Sequence, residues 1–124
     1  MKPWSYLLAL LFIPLAACGM VLRKPAIEVT MMNSTSRIFR EAQVHFGSNV
    51  CEWGTVMPDG NKGYMYYPYP ITPEAELRWE DDGGRQVRKV DLKKTYPTGK
   101  SGQLVFTVFD DRVEVKFTEK PWTP

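Results

Sequence analysis

From Ala26 onward the chain alternates between apolar and polar residues with a period of two. In AIEVTM (26–31), Ile27, Val29 and Met31 share one face, with Glu28 and Thr30 on the other. EAQVHF (41–46) sets Ala42, Val44 and Phe46 against Glu41, Gln43 and His45. AELRWE (75–80) sets Ala75, Leu77 and Trp79 against Glu76, Arg78 and Glu80, and RVEVKF (112–117) repeats the pattern with Val113, Val115 and Phe117. Such alternation marks strands that bury one face and wet the other, the habit of antiparallel sheets. QLVFTVF (103–109) is apolar on both faces, as a central strand would be, and residues 86–92 form a looser candidate through Val87, Val90 and Leu92.

Turn chemistry falls between these runs. Asp81-Asp82-Gly83-Gly84 and Asp110-Asp111 separate adjacent strand patterns tightly, and Pro58-Asp59-Gly60-Asn61 supplies another turn; Asp and Gly tolerate the backbone angles that hairpins need. Sustained helical periodicity is missing, with one turn at Ser36–Glu41 the most that the pattern allows. The expectation is an all-β fold: an antiparallel β-sandwich of about seven short strands over residues 26–120, immunoglobulin-like in architecture but without the Cys…Trp…Cys signature of the true family. Residues 121–124 form a short C-terminal tail.

The first residues follow a different pattern. A short lead with one basic side chain, Lys2, precedes an apolar run from Leu7 to Leu15. As a helix that run is about 14 Å long against a hydrocarbon core of about 30 Å, too short to span and suited to a cleaved signal peptide. Leu15-Ala16-Ala17-Cys18 resembles the lipobox of bacterial lipoproteins. The resemblance implies a signal peptide over 1–17, diacylglyceryl attachment to the Cys18 thiol, and a lipidated tether over 18–25. It further implies a palmitate-type acyl chain on the new amino terminus. Buried methylenes contribute about 0.8 kcal/mol each, so two or more chains hold a protein stably at a membrane. Gly19 stands where, in enterobacterial lipoproteins, an Asp favours inner-membrane retention, so the implied location is the outer membrane, facing the periplasm.

Composition then narrows function. Sixteen basic residues face fourteen acidic ones in 124 residues, a balance that favours neither a nucleic-acid partner nor strong steering. With Cys18 acylated, Cys51 has no partner for an internal disulfide. A metal site is not expected from one histidine, His45, and one remaining thiol, and no CxxC or HxxxH spacing occurs. His45 and Cys51 would make a nucleophile–base pair only if the intervening loop joined them, with no third group to orient the base. No phosphate loop or nucleophile elbow is present, so neither a catalytic residue nor a cofactor is expected and the chain reads as a non-enzyme. RQVRKVDLKK (85–94) reads as a solvated strand face, with a patch meeting an acidic partner or lipopolysaccharide phosphates as the alternative.

The unusual segment is GYMYYPYPITP (63–73). Tyr64, Tyr66, Tyr67 and Tyr69, framed by prolines that favour edge or extended backbone, are the candidate partner-binding residues, because tyrosine combines large rigid area with a hydroxyl. The same tyrosines could instead cap one end of the core. Small β-sandwich lipoproteins without chemistry resemble periplasmic immunity or inhibitor proteins, such as those neutralising secreted phospholipase effectors, and accessory lipoproteins of secretion machines. The expected function is therefore a membrane-anchored module that binds a protein partner; the alternative is a structural or accessory part of an envelope or secretion assembly.

Overall fold

A computed structural model describes residues 25–120. Eight strands run in chain order: β1 Ile27–Asn33, β2 Phe39–Phe46, β3 Asn49–Val56, β4 Asn61–Tyr64, β5 Glu74–Asp81, β6 Gly84–Asp91, β7 Gly102–Val108 and β8 Val113–Glu119. They form two four-stranded sheets, β4-β1-β7-β8 and β3-β2-β5-β6, and no helix forms among the described residues. The molecule is an all-β sandwich. Where alternation marks a face, that face turns inward: Val29, Met31, Ala42, Val44, Phe46 and Leu77 are buried in a single core between the sheets, and Val113, Val115 and Phe117 pack half-buried against it. QLVFTVF sends Leu104 and Phe106 into the same core. Residues 35–37 bend without a helical turn before β2 begins.

Neighbouring strands pair antiparallel with one exception. β1 runs parallel to β7, with Ile27 opposite Gly102 and Asn33 opposite Val108, and antiparallel to β4 on its other side. The first strand is thereby placed in the interior of its sheet, beside a strand about 75 residues away in sequence, a distance seen also in the Ala26–Ser101 contact.

β2 and β3 meet through paired irregularities. The register steps from Phe39↔Val56 to Ala42↔Gly54 and then to Gln43↔Glu52. An extra residue on β2 is thus followed by an extra residue on β3, and the two bulges cancel. Glu41 takes the left-handed conformation, φ 51°. The inserted residue lets Phe39 and Ala42, three apart, both face the core, where Phe39 stacks on Trp79 at 4.7 Å between centroids. On β3, Trp53 reaches across to the other sheet: its Nε1 donates to the Val29 carbonyl at 3.0 Å, and its ring meets Phe106 edge-on.

The strand directions sort the connections into two ends. Loops 47–48, 65–73 and 92–101 gather where residue 25 enters the fold; turns 34–38, 57–60, 82–83 and 109–112 lie at the opposite end. At the entry end the β2–β3 hairpin turns through Gly47, whose φ of +62° suits the first central position of a type II′ turn. At the opposite end Asn33 is the pin. Its Nδ2 donates to the carbonyls of Arg37 and Val56, and its Oδ1 accepts from the Thr35 backbone N and Oγ1, at 2.7–3.2 Å.

Candidate functional site

The Tyr-Pro segment leaves β4 at Tyr64 and crosses the entry end of the sandwich before β5. β4 is short, with all four residues exposed, and pairs only with β1. Beyond it the Tyr67 amide still donates to the Ile27 carbonyl at 2.8 Å, so the segment stays stitched to the β1 edge for one more turn. Tyr66 accomplishes that turn with a left-handed backbone, φ 55°, a conformation that costs a side-chain-bearing residue about 1 kcal/mol or more.

The four candidate tyrosines divide. Tyr67 is only 4% exposed and belongs to the core, whereas Tyr64, Tyr66 and Tyr69 are 44%, 55% and 52% exposed. Tyr67 is the hub on which the others are arranged: its ring meets Phe46 at 5.3 Å, Tyr64 at 6.3 Å and Tyr69 at 5.7 Å, the last two edge-on. Edge-to-face contact suits the ring quadrupoles. The Tyr67 hydroxyl is buried without a hydrogen-bond partner among the described residues. Burial, with smaller contributions from Cys51, Tyr69 and Tyr64, pushes its pKa up to about 12. Capping the core and offering a surface are thus shared between different tyrosines of one segment.

Beside this hub lies an apolar groove of about 550 Å³, whose walls include Ala26, Tyr66, Pro68, Tyr69, Ile71 and Tyr96. Three elements build it: the entering chain, the Tyr-Pro segment and the β6–β7 loop. Tyr96 is held there edge-on to Phe117, with its hydroxyl donating to the Lys100 carbonyl. Sequence reasoning passed over Tyr96, because a single tyrosine in YPTGKSGQ carries no pattern.

A second, larger depression of about 830 Å³ runs over the outer face of β2, β5 and β6, lined by His45, Glu76, Arg78, Lys89 and neighbours. It is a mixed-charge strand face: Arg78 Nε pairs with Glu76 at 2.6 Å, and His45 Nε2 lies 2.8 Å from Gln43 Oε1. Burial and the charge of Arg78 lower the His45 pKa, partly offset by Glu76.

His45 and Cys51 stand on adjacent strands, as Val44↔Cys51 and His45↔Val50 pairs require, yet the sheet divides them. His45 faces outward and Cys51 faces the core, 1% exposed. Burial, then the charge of Glu52, pushes the Cys51 thiol up to about 12, so it stays protonated near neutrality. Among the described residues no three His, Cys, Asp or Glu side chains gather as a metal site would need, and no helix is long and apolar enough to cross a membrane. Cys18, the signal peptide and most of the tether lie outside the described residues, as does the 121–124 tail.

No protein-family model matches the chain, and no curated protein matches it. The fold is similar to an NMR structure of a protein from Eubacterium rectale, over 79% of this chain and 93% of that one, with a TM-score of 0.51 and 11% identity. At that identity the likeness shows the fold alone.

Proposed function

We propose that this protein is a non-catalytic binding module of the bacterial cell envelope, held by a lipidated Cys18 at the outer membrane and facing the periplasm. It recognises a protein partner, such as a secreted effector that it neutralises. The recognition surface is the flank formed by the open edge of β4 with Tyr64 and Tyr66. One observation carries this reading: exposed aromatic side chains stand next to an unpaired strand edge, on a support made rigid by the buried Tyr67. An unpaired edge offers backbone donors and acceptors to an added strand, and tyrosines set on a rigid support lose little entropy on binding. The left-handed Tyr66 adds weight, since strained backbone collects where function demands it. Cys51 is buried and protonated while His45 faces outward, so these two side chains do not form a nucleophile–base pair.

The test is affinity capture from envelope extracts with the full chain, beside a Tyr64→Ala, Tyr66→Ala variant. A stoichiometric partner whose binding falls about tenfold or more in the variant is expected, the usual effect of truncating aromatic anchors. Recovery of a large envelope assembly that is indifferent to both tyrosines would favour the structural or accessory role instead.

A further inference from the structure

The two ends of the sandwich differ in charge. Loops 65–73 and 92–101, at the end where the chain enters, contain no acidic residue and carry Lys93, Lys94 and Lys100. The turns at the opposite end carry Asp59, Asp82, Asp110 and Asp111 against Arg37 and Arg112. The nearest carboxylates to the entry loops, Glu74, Asp91 and Glu119, sit at strand ends, and Glu119 pairs with Lys100 at 3.7 Å. Flanking these lysines, the groove presents Tyr69 and Pro68 to solvent, with Ile71 and Tyr96 half-buried and Ala26 forming part of its wall. The Ala26 amide is fixed by the Ser101 hydroxyl at 3.0 Å, so the chain enters the fold at this end. Residues 19–25 reach at most roughly 24 Å when fully extended.

We propose that the entry end of the sandwich is a second membrane contact, in which Tyr69 and Tyr96 settle among the headgroups of an anionic bilayer while Lys93 and Lys94 lie over the phosphates. The proposal rests on the reading that Cys18 is acylated, which puts the bilayer within reach of this end. Tyrosine, with an apolar ring and a polar tip, favours the membrane–water boundary. A lysine close to an anionic surface shifts partitioning about fivefold, an effect confined to roughly a Debye length. The carboxylates at the far end are kept out of the same field. The β4 flank remains exposed at the side, so a partner held there would lie close to the bilayer.

Spin labels at Thr98→Cys, beside the groove, and at Asp59→Cys, at the opposite end, test this in the full chain. The protein is placed in vesicles of phosphatidylethanolamine with phosphatidylglycerol and, for comparison, of phosphatidylcholine alone. Cys51 is buried and stays unlabelled. On the anionic vesicles, collisions of the residue-98 label with a water-soluble nickel complex should fall severalfold and collisions with oxygen should rise, with no change at residue 59. Adding Lys93→Glu and Lys94→Glu should reduce the docked population roughly 25-fold or more and restore the nickel collisions. Tyr69→Ala should weaken docking through a surface position that leaves the core intact.

Equal accessibility on the two kinds of vesicle, or shielding unchanged by the lysine substitutions, would overturn the proposal. So would shielding that appears in detergent only when a second polypeptide is present. The intact mass of each sample separates the two readings. An acylated Cys18 without docking sinks only this inference. An unmodified Cys18 sinks the anchor; with Cys18→Ser added, so that only position 98 or 59 takes the label, the same full chain added to vesicles then decides the face.

Discussion

Tyr67 is the residue at which local chemistry and packing disagree most. Its ring joins Phe46, Tyr64 and Tyr69, yet its hydroxyl is buried without a hydrogen-bond partner among the described residues. An unsatisfied buried polar group costs about 1–3 kcal/mol, so Tyr67→Phe should raise stability by about 1 kcal/mol, read from the urea midpoint at unchanged slope. Tyr67→Ala should lose about 3–5 kcal/mol with the ring. The phenol and the nearby Cys51 thiol also set the alkaline limit. Both have folded pKa values raised to about 12 from 10.0 and 9.0, so folding favours their neutral forms. The stability this contributes is intact below about pH 9 and is lost as pH rises toward 12; Cys51→Val should flatten that decline. Asp81 behaves oppositely. Burial pushes its carboxyl up, but hydrogen bonds from Trp79 Nε1 and the Gly83 amide, with the charge of Arg37, outweigh burial and hold it below 3.8. Its contribution is therefore present above the ordinary carboxylate pKa and disappears as pH falls below it. Asp81→Asn should remove that acid-side slope in pH-dependent unfolding.

Among the elements, those with regular alternation were readable and those without were not. β1, β2 and β5 carry apolar residues at every second position and bury the face so marked, and β8 half-buries its own. β7, apolar on both faces, revealed its place inside a sheet but not which side meets the core. β3 escaped because the bulge at Trp53 and Gly54 shifts the phase between Cys51 and Val56, both of which are buried. β4 escaped because it buries nothing. In β6 the looser pattern mixed two faces. Val87 points outward, while Arg88 is aligned with Leu77 on the inner side and lies over the Trp79 ring at 5.4 Å. An inward-leaning cation on an edge strand discourages pairing with another sheet. Gly102 shows how tightly β7 is fitted between its neighbours. A Cβ there would collide with the Thr118 carbonyl and press on Glu119 Cα at 3.0 Å, backbone atoms that cannot swing aside. Gly102→Ala should therefore cost about 2 kcal/mol or more by prising β8 from β7, seen as faster amide exchange in residues 113–119.

Over the whole molecule, two sheets and one core predict a single cooperative transition, with far- and near-ultraviolet circular dichroism melting together. Separate melting of the two signals would contradict the single core. Composition and period made the layered all-β class legible. The placement of β1 beside β7 was not, because strand order depends on which of several compatible edges meet, and no local pattern records it. Nor was the segregation of lysines and aspartates to opposite ends, which exists only once the loops are assigned to their sides.

The interior position of the first strand has a mechanical meaning. A pull on residue 25 along the strand axis strains the seven registered positions shared with β7 and the four shared with β4 together, in shear. Bonds loaded abreast fail only collectively, whereas a peripheral hairpin under the same tension would unzip rung by rung. The end from which the rest of the chain could be tugged is the end that the architecture makes hardest to draw out.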